Sequence, residues 1–247
     1  MAYFHDNFSK HSANYAKYRP GYPRELYDFI SGNVKNKQAA WDCGTGNGQA
    51  AKELAKTFEK VFATDISQQQ IENAGQRENI FYSVEPVEQT TFSDNSFDLV
   101  TVAQALHWFR FDNFYTEVKR VAKSGAIFAA WTYSLLRISK EIDALIVVHH
   151  FNTLGNYWDA ERKYVDEEYS TIPFSFRKIK APIFHIDYYW TIEELQGYLN
   201  TWSALQKFET KNNYNPVNDL VELIAPYWKQ EKMKISFPVH LLMGRIE

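Results

Sequence analysis

Trp41-Asp42-Cys43-Gly44-Thr45-Gly46-Asn47-Gly48-Gln49, answered downstream by Val61-Phe62-Ala63-Thr64-Asp65, is the stretch on which the fold turns. The first segment reads as a short apolar strand, Ala39 to Trp41, running into a turn with three glycines. Glycine reaches positive φ without cost and lets a ligand approach the backbone closely. The second segment is another apolar strand and ends on a carboxylate. In an open parallel sheet the carboxyl ends of neighbouring strands face one crevice, so Asp65 is expected where a ribose can take two hydrogen bonds from one carboxylate. Together the segments predict a nucleoside-binding crevice in a doubly wound α/β sheet.

The register of the glycines narrows the nucleoside. A dinucleotide fingerprint reads G-x-G-x-x-G/A, whereas here Gly44 and Gly46 are followed by Gln49 at the third position, a long polar side chain where close packing wants a small one. The third glycine, Gly48, comes one residue early. Asp42 stands at the mouth of the turn, where it would repel a pyrophosphate. S-adenosyl-L-methionine has no phosphate and carries an ammonium and a sulfonium, so an acid beside it attracts. That donor is the expected ligand, with NAD and an oxidoreductase as the alternative and glycines that merely shape a turn as the plain structural reading.

Outward from the turn, strand and helix alternate, as parallel βαβ units do. A helix from about Arg24 to Ser31 precedes the first strand, and another runs from about Gly48 to Thr57. Ser67-Gln68-Gln69-Gln70 reads as an S-x-x-Q capping box opening the next helix. Ile80 to Val84 and Phe97 to Ala103 follow as the third and fourth strands, the latter nearly all apolar and so covered on both faces. Phe114, Val118 and Val121 set one face of a helix on the sheet, and Ala126 to Trp131 is the fifth strand. After Thr132 the rhythm breaks. Lys140 to Tyr157 looks helical and Tyr164 to Phe176 is aromatic and poorly periodic, which reads as an inserted cap. Ile183 to Ile186 and Pro238 to Met243 are the candidates for the last two strands, with an amphipathic helix from Thr191 to Phe208 between them.

The chain resembles class I S-adenosylmethionine-dependent methyltransferases of the type 11 methyltransferase-domain kind over most of its first 135 residues. Within them, Tyr15 to Pro23 and Ala103-Gln104-Ala105-Leu106-His107-Trp108-Phe109 look most like small-molecule enzymes related to trans-aconitate methyltransferase. The resemblance implies a Rossmann-like, seven-stranded, mostly parallel sheet whose last strand is antiparallel, with a helical cap. The chain then divides as one methyltransferase domain: an N-terminal cap segment 1–23, a cofactor-binding core 24–131, an inserted cap 132–180, and 181–247 with the last strands and a substrate-side helix.

The expected cofactor contacts follow. Asp42 is placed near the methionine ammonium, with Gly44, Gly46 and Gly48 letting the backbone pass beneath the cofactor and Asp65 on the ribose. The resemblance puts Tyr18 and Arg19 in a segment folding over the cofactor, where Arg19 could pair with the methionine carboxylate. It also sets Val87 and Glu88 beside adenine, with Pro86 where the family usually has an acid. Gln104 is expected at the methionine moiety, and Asn47, Ile66, Gln70 and Ala105 complete the set. Methyl transfer needs alignment and exclusion of water more than an acid–base pair. On the acceptor side His107 is the candidate base, against a histidine simply hydrogen-bonded in place. Trp108, Trp131, Tyr133 and Trp202 are expected to form an aromatic wall, against the reading of plain core.

Composition bounds the rest. The chain has 247 residues, 45% of them hydrophobic, and a net charge of −3, so there is room for one sizeable core and no global basic field for a nucleic acid. The start has no basic region leading into an apolar run, and no apolar stretch reaches about 18 residues, so neither secretion nor a membrane span is signalled and a cytoplasmic setting is expected. The single cysteine, Cys43, makes no internal disulfide and no cysteine-rich metal site, and is read as a buried, inert thiol. No metal is expected. A non-catalytic S-adenosylmethionine-binding protein is the second reading. The acceptor's identity and the oligomeric state stay open at this level.

Overall fold

A computed structural model describes residues 20–247. Its centre is built from the strands the apolar runs predict. β1 (Ala39–Cys43) and β4 (Phe97–Ala103) are buried along nearly their whole length, as parallel strands covered on both faces must be. β2 (Lys60–Asp65) and β3 (Ile80–Val84) continue the sheet on one side of β1, and all these pairings are parallel. β5 (Ala122–Tyr133) pairs parallel with β4 on the other side. β8 (Met233–Arg245) then runs antiparallel to β5, and a three-residue strand β6 (Arg177–Ile179) lies antiparallel beside β8. The order is β3-β2-β1-β4-β5-β8-β6, with β7 (Phe184–Trp190) pairing β8 off this path. The fold is thus the expected mixed, mostly parallel sheet, with eight strands among the described residues, the short β6 being the addition. β6 escapes sequence reading because three residues with two cations carry no strand period.

The chain separates into two units. The sheet unit holds residues 22–134, 163–184 and 239–247. Its helices are α1 (Arg24–Asn33), α2 (Gln49–Leu54), α3 (Gln68–Glu72), α4 (Phe111–Val121) and, after the next unit's first segment, α6 (Arg162–Asp166), whose first residue belongs to that other unit. α4 buries Phe114, Val118 and Val121 as their spacing predicts. Trp41, Phe97, Phe114 and Phe128 are fully enclosed in the core they share. The helical unit takes residues 135–162 and 185–238, together with residues 20–21. It contains α5 (Lys140–Val148), which loosens into a π turn at His149–Thr153, then α7 (Ile192–Leu199), α8 (Ser203–Asn212) and α9 (Val217–Ile224).

Two expectations need correction. The insert placed at 132–180 ends early, because 163–184 belongs to the sheet unit: Val165, Tyr169, Ile172 and Phe176 are buried in its core with Tyr115 and Phe128. What looked like an aperiodic cap is an irregular core segment, apolar because it is enclosed. The remainder of the helical unit instead comes from 185–238, within the block expected to hold only the last strands and one helix. That helix, expected from Thr191 to Phe208, is two. Thr191 opens α7 with a reciprocal capping box to Glu194, but the chain turns at Asn200–Trp202, where the Thr201 hydroxyl donates to the carbonyl of Tyr198 at 2.7 Å. Among the described residues no helix is long and apolar enough to cross a membrane.

Candidate active site

The glycine turn is fastened to the end of β2. Thr45 N–H donates to the carbonyl of Thr64 at 2.9 Å, and Gly46 N–H donates to Asp65 Oδ2 at 2.8 Å. The other oxygen of Asp65 accepts from Ser67 N–H at 2.9 Å. Ser67 in turn caps α3 by accepting from Gln70 N–H, so Asp65 takes the donor that the glutamine of a capping box would otherwise satisfy. Asp65 is therefore aimed by two backbone donors, which fix its carboxylate at the carboxyl end of β2.

The three glycines have different tasks. All have positive φ, between 56° and 78°. A Cβ on Gly44 would stand 3.0 Å from Ala105 Cβ and 3.1 Å from Phe109 Cζ, and one on Gly48 would run into the hydroxyl of Tyr82. These two permit close packing. At Gly46 the nearest heavy atom to such a Cβ among the described residues is Gln70 Oε1, at 3.9 Å, an ordinary van der Waals contact. Of the three, Gly46 is the least crowded. Asn47 sits beside it and is half-buried.

Asp42 lies beneath the turn, fully buried. Its Oδ2 accepts from the Thr45 hydroxyl at 2.6 Å and its Oδ1 from the Thr101 hydroxyl at 2.9 Å. Burial dominates and pushes its carboxyl up to about 6, against the lowering effect of these hydroxyls. Its two short bonds show that Asp42 shapes the turn from below. Thr45 and Thr101 were not singled out in the sequence, although a lone threonine in the apolar run Phe97–Ala103 is the kind of exception that a buried acid requires. Cys43 is fully enclosed, and burial raises its thiol well above the usual range, which keeps it unreactive.

The remaining cofactor-side candidates line the same strand ends. Ile66, directly after Asp65, is 46% exposed and offers an apolar face. Val87 is buried, and Glu88 is committed elsewhere: its Oε1 accepts from Arg110 N–H at the start of α4. Gln104 has φ 56°, donates its N–H to the carbonyl of Trp131, and accepts from Tyr133 N–H at 3.0 Å through its side-chain oxygen. It ties the end of β4 to the end of β5. Tyr18 and Arg19 lie outside the described residues.

Of the four rings expected as an aromatic wall, Trp108, Trp131 and Tyr133 lie in the sheet unit and Trp202 in the helical unit. Trp108 alone is exposed, its ring 4.9 Å from that of His107. Trp131 and Tyr133 are buried in the sheet unit, Trp131 taking Tyr22 and Tyr27 edge-on at 5.5 and 5.9 Å. Trp202 belongs to the helical unit and is buried among His149, His150, Trp158 and Tyr198. His107 is buried, with Nδ1 2.9 Å from the hydroxyl of Tyr169. Tyr169 and its neighbour Glu168 both have left-handed backbone, φ 61° and 58°. Each such non-glycine residue costs on the order of 1 kcal/mol and persists only where its surroundings demand it. Sequence reading missed this turn, and the one signal available, a tyrosine in an aperiodic aromatic stretch, does not say what it touches.

A methyltransferase-domain family model matches residues 41–130, the span that carries the turn, Asp65 and the β4 end. A Dictyostelium discoideum protein named as a methyltransferase is 34% identical over 99% of this chain and 96% of its own. A solved structure described as a type II methyltransferase from Anaeromyxobacter dehalogenans is 36% identical, with a TM-score of 0.86 over 92% of this chain and 98% of that one. A Saccharomyces cerevisiae protein named as an S-adenosylmethionine-dependent methyltransferase is 26% identical over 63% of this chain and 56% of its own length. A glycine turn tied by Gly46 N–H to the acid that ends β2 agrees with these likenesses: the chain belongs to the class I S-adenosyl-L-methionine-dependent methyltransferases.

Proposed function

We propose that this enzyme methylates an oxygen atom, carboxylate or hydroxyl, of a small-molecule acceptor. The observation that supports the donor half of this reading is the division of labour in the turn: Gly44 and Gly48 are filled by neighbours, whereas Gly46 is the least crowded and its N–H holds the carboxylate of Asp65. When bound, S-adenosyl-L-methionine supplies an activated methyl on a sulfonium. The chain's own residues bind and orient it. Asp65 takes the ribose hydroxyls, the exposed side chain of Ile66 covers one face of adenine, and Asp42 favours the methionine ammonium by its charge. A net charge of −3 argues for a small acceptor over a nucleic acid. With its ring held by Tyr169, His107 steadies Trp108, the exposed ring nearest the β4 end.

The test is incubation with methyl-labelled S-adenosyl-L-methionine and a fractionated metabolite extract, followed by mass identification of labelled products. The expected result is label in small oxygen-methylated compounds. Calorimetric binding of the donor with no labelled product in any fraction would replace the reading with a non-catalytic binding protein.

A further inference from the structure

Four separate stretches of the sheet unit meet at the carboxyl ends of β4 and β5 in one hydrogen-bonded circuit. Gln104, after β4, holds Tyr133 N–H at the end of β5. The next residue, Ser134, has its hydroxyl 3.3 Å from His240 Nε2. His240 lies on β8 opposite Thr132, so antiparallel pairing brings it to the same end of the sheet. Its Nδ1 is 3.3 Å from Glu168 Oε2. Glu168 adjoins Tyr169 in the left-handed turn, and Tyr169 returns to His107, three residues beyond Gln104.

Within the circuit, Ser134, His240 and Glu168 have the order of a hydroxyl, a base and an orienting carboxylate. The carboxylate on Nδ1 requires a proton there, which leaves Nε2 of the neutral ring as a proton acceptor facing a hydroxyl. His240 is 14% exposed and Glu168 half-exposed, so the group is reachable. His107 differs: it is buried, and its Nδ1 meets the phenol of Tyr169. Two consecutive non-glycine residues at positive φ are what place the carboxylate and the phenol on the two histidines. Distances of 3.3 Å are long for such bonds, and catalytic pairs in unliganded sites commonly tighten on loading.

We propose that His240, oriented by Glu168, is the proton acceptor for the methyl acceptor, which is therefore a hydroxyl compound. This rests on the oxygen-methylation reading above. The Ser134 hydroxyl occupies Nε2 until the acceptor's O–H displaces it. As the acceptor oxygen bonds to the methyl carbon, the sulfur–carbon bond breaks with its electron pair left on sulfur, and the hydroxyl proton moves to Nε2. The products are a methyl ether, S-adenosylhomocysteine and an imidazolium paired with Glu168, and the proton later leaves to water.

The full chain and its His240→Ala and Glu168→Gln variants are given methyl-labelled S-adenosyl-L-methionine with two probe sets, one of phenols and alcohols lacking carboxyl groups and one of carboxylic acids lacking hydroxyls. The expected result is label in the hydroxyl set. His240→Ala lowers kcat by about 100-fold or more with acceptor KM changed by less than about threefold, and added imidazole restores turnover. Donor affinity by calorimetry stays at the wild-type value. Glu168→Gln slows modification of His240 by diethyl pyrocarbonate, a readout independent of turnover, and if His240→Ala fails to fold this measurement decides. Label confined to the carboxylic set, wild-type turnover in His240→Ala, or an unchanged modification rate in Glu168→Gln overturns the proposal while leaving methyl transfer standing. Donor binding without label in either set overturns both.

Discussion

The glycine turn and the circuit through Gln104, Ser134, His240 and Glu168 lie at the same end of one sheet but are built in opposite ways. The turn is local: Asp42, Thr45, Gly46 and Asp65 come from two adjacent parallel strands, and the β1–β2 register alone brings them together. The circuit is assembled from β4, β5, β8 and a strained turn far apart in sequence. A site made within one βαβ unit carries its signature in the order of its residues. One made across the sheet carries none, because each residue alone is an ordinary serine, histidine or tyrosine.

Four experiments break or sharpen this contrast. The largest effect is expected at Asp42. Its carboxyl sits at about 6 in the folded chain and near 3.8 unfolded, so the native state binds the proton more tightly. Its contribution to stability is therefore fully present below about pH 3.8 and lost as pH rises through about 6. Relative to wild type, Asp42→Asn should gain on the order of 3 kcal/mol between pH 3.5 and 7.5, read as the difference between denaturant midpoints at each pH. The same ionisation makes donor affinity of the wild type rise over that window and leaves the variant flat; a parallel rise in both would separate Asp42 from the ammonium.

Next is Asp65→Ala, which removes the proposed ribose acceptor and the partner of Gly46 N–H. Calorimetry should show S-adenosyl-L-methionine binding weakened by about 100-fold, roughly 2.7 kcal/mol. The glycines then separate packing from binding. Gly44→Ala should cost about 2–3 kcal/mol of stability, from positive φ plus the contacts with Ala105 and Phe109. Gly46→Ala should cost only about 1 kcal/mol of stability while weakening the donor more than Gly44→Ala does. Equal stability losses would remove the distinction. The smallest effect belongs to the circuit: Tyr169→Phe should lower the unfolding free energy by about 1 kcal/mol and leave donor affinity unchanged. A loss of donor affinity there would mean that the two regions are coupled.

The readable part of the fold follows the same division. β3 and β4 have the limits their apolar runs predict, and α4 buries the face its spacing marks, because both are decided by burial of side chains close in sequence. The stretch 163–176 was legible only as aromatic. Whether it covers the sheet or joins its core depends on Tyr115 and Phe128 receiving Phe176, a contact with no local trace. Trp131, Tyr133 and Trp202 show the limit of counting aromatic rings: apolar chemistry suits a wall and a core equally, and here all three are buried.

By itself the sequence determined the donor side: the early third glycine, the acid ahead of it and the acid ending the next strand are tied by covalent spacing to one turn and one crevice. Only the tertiary structure decided that Gly46 is the least crowded of the three glycines, that Asp42 is held by Thr101 from the neighbouring strand, and that His240 meets the Glu168 carboxylate while His107 meets the Tyr169 phenol. The physical reason is range. Backbone register acts between neighbouring strands and is written in residue order, whereas the partners of a buried polar side chain are chosen by whichever distant segment the packing brings within hydrogen-bond reach.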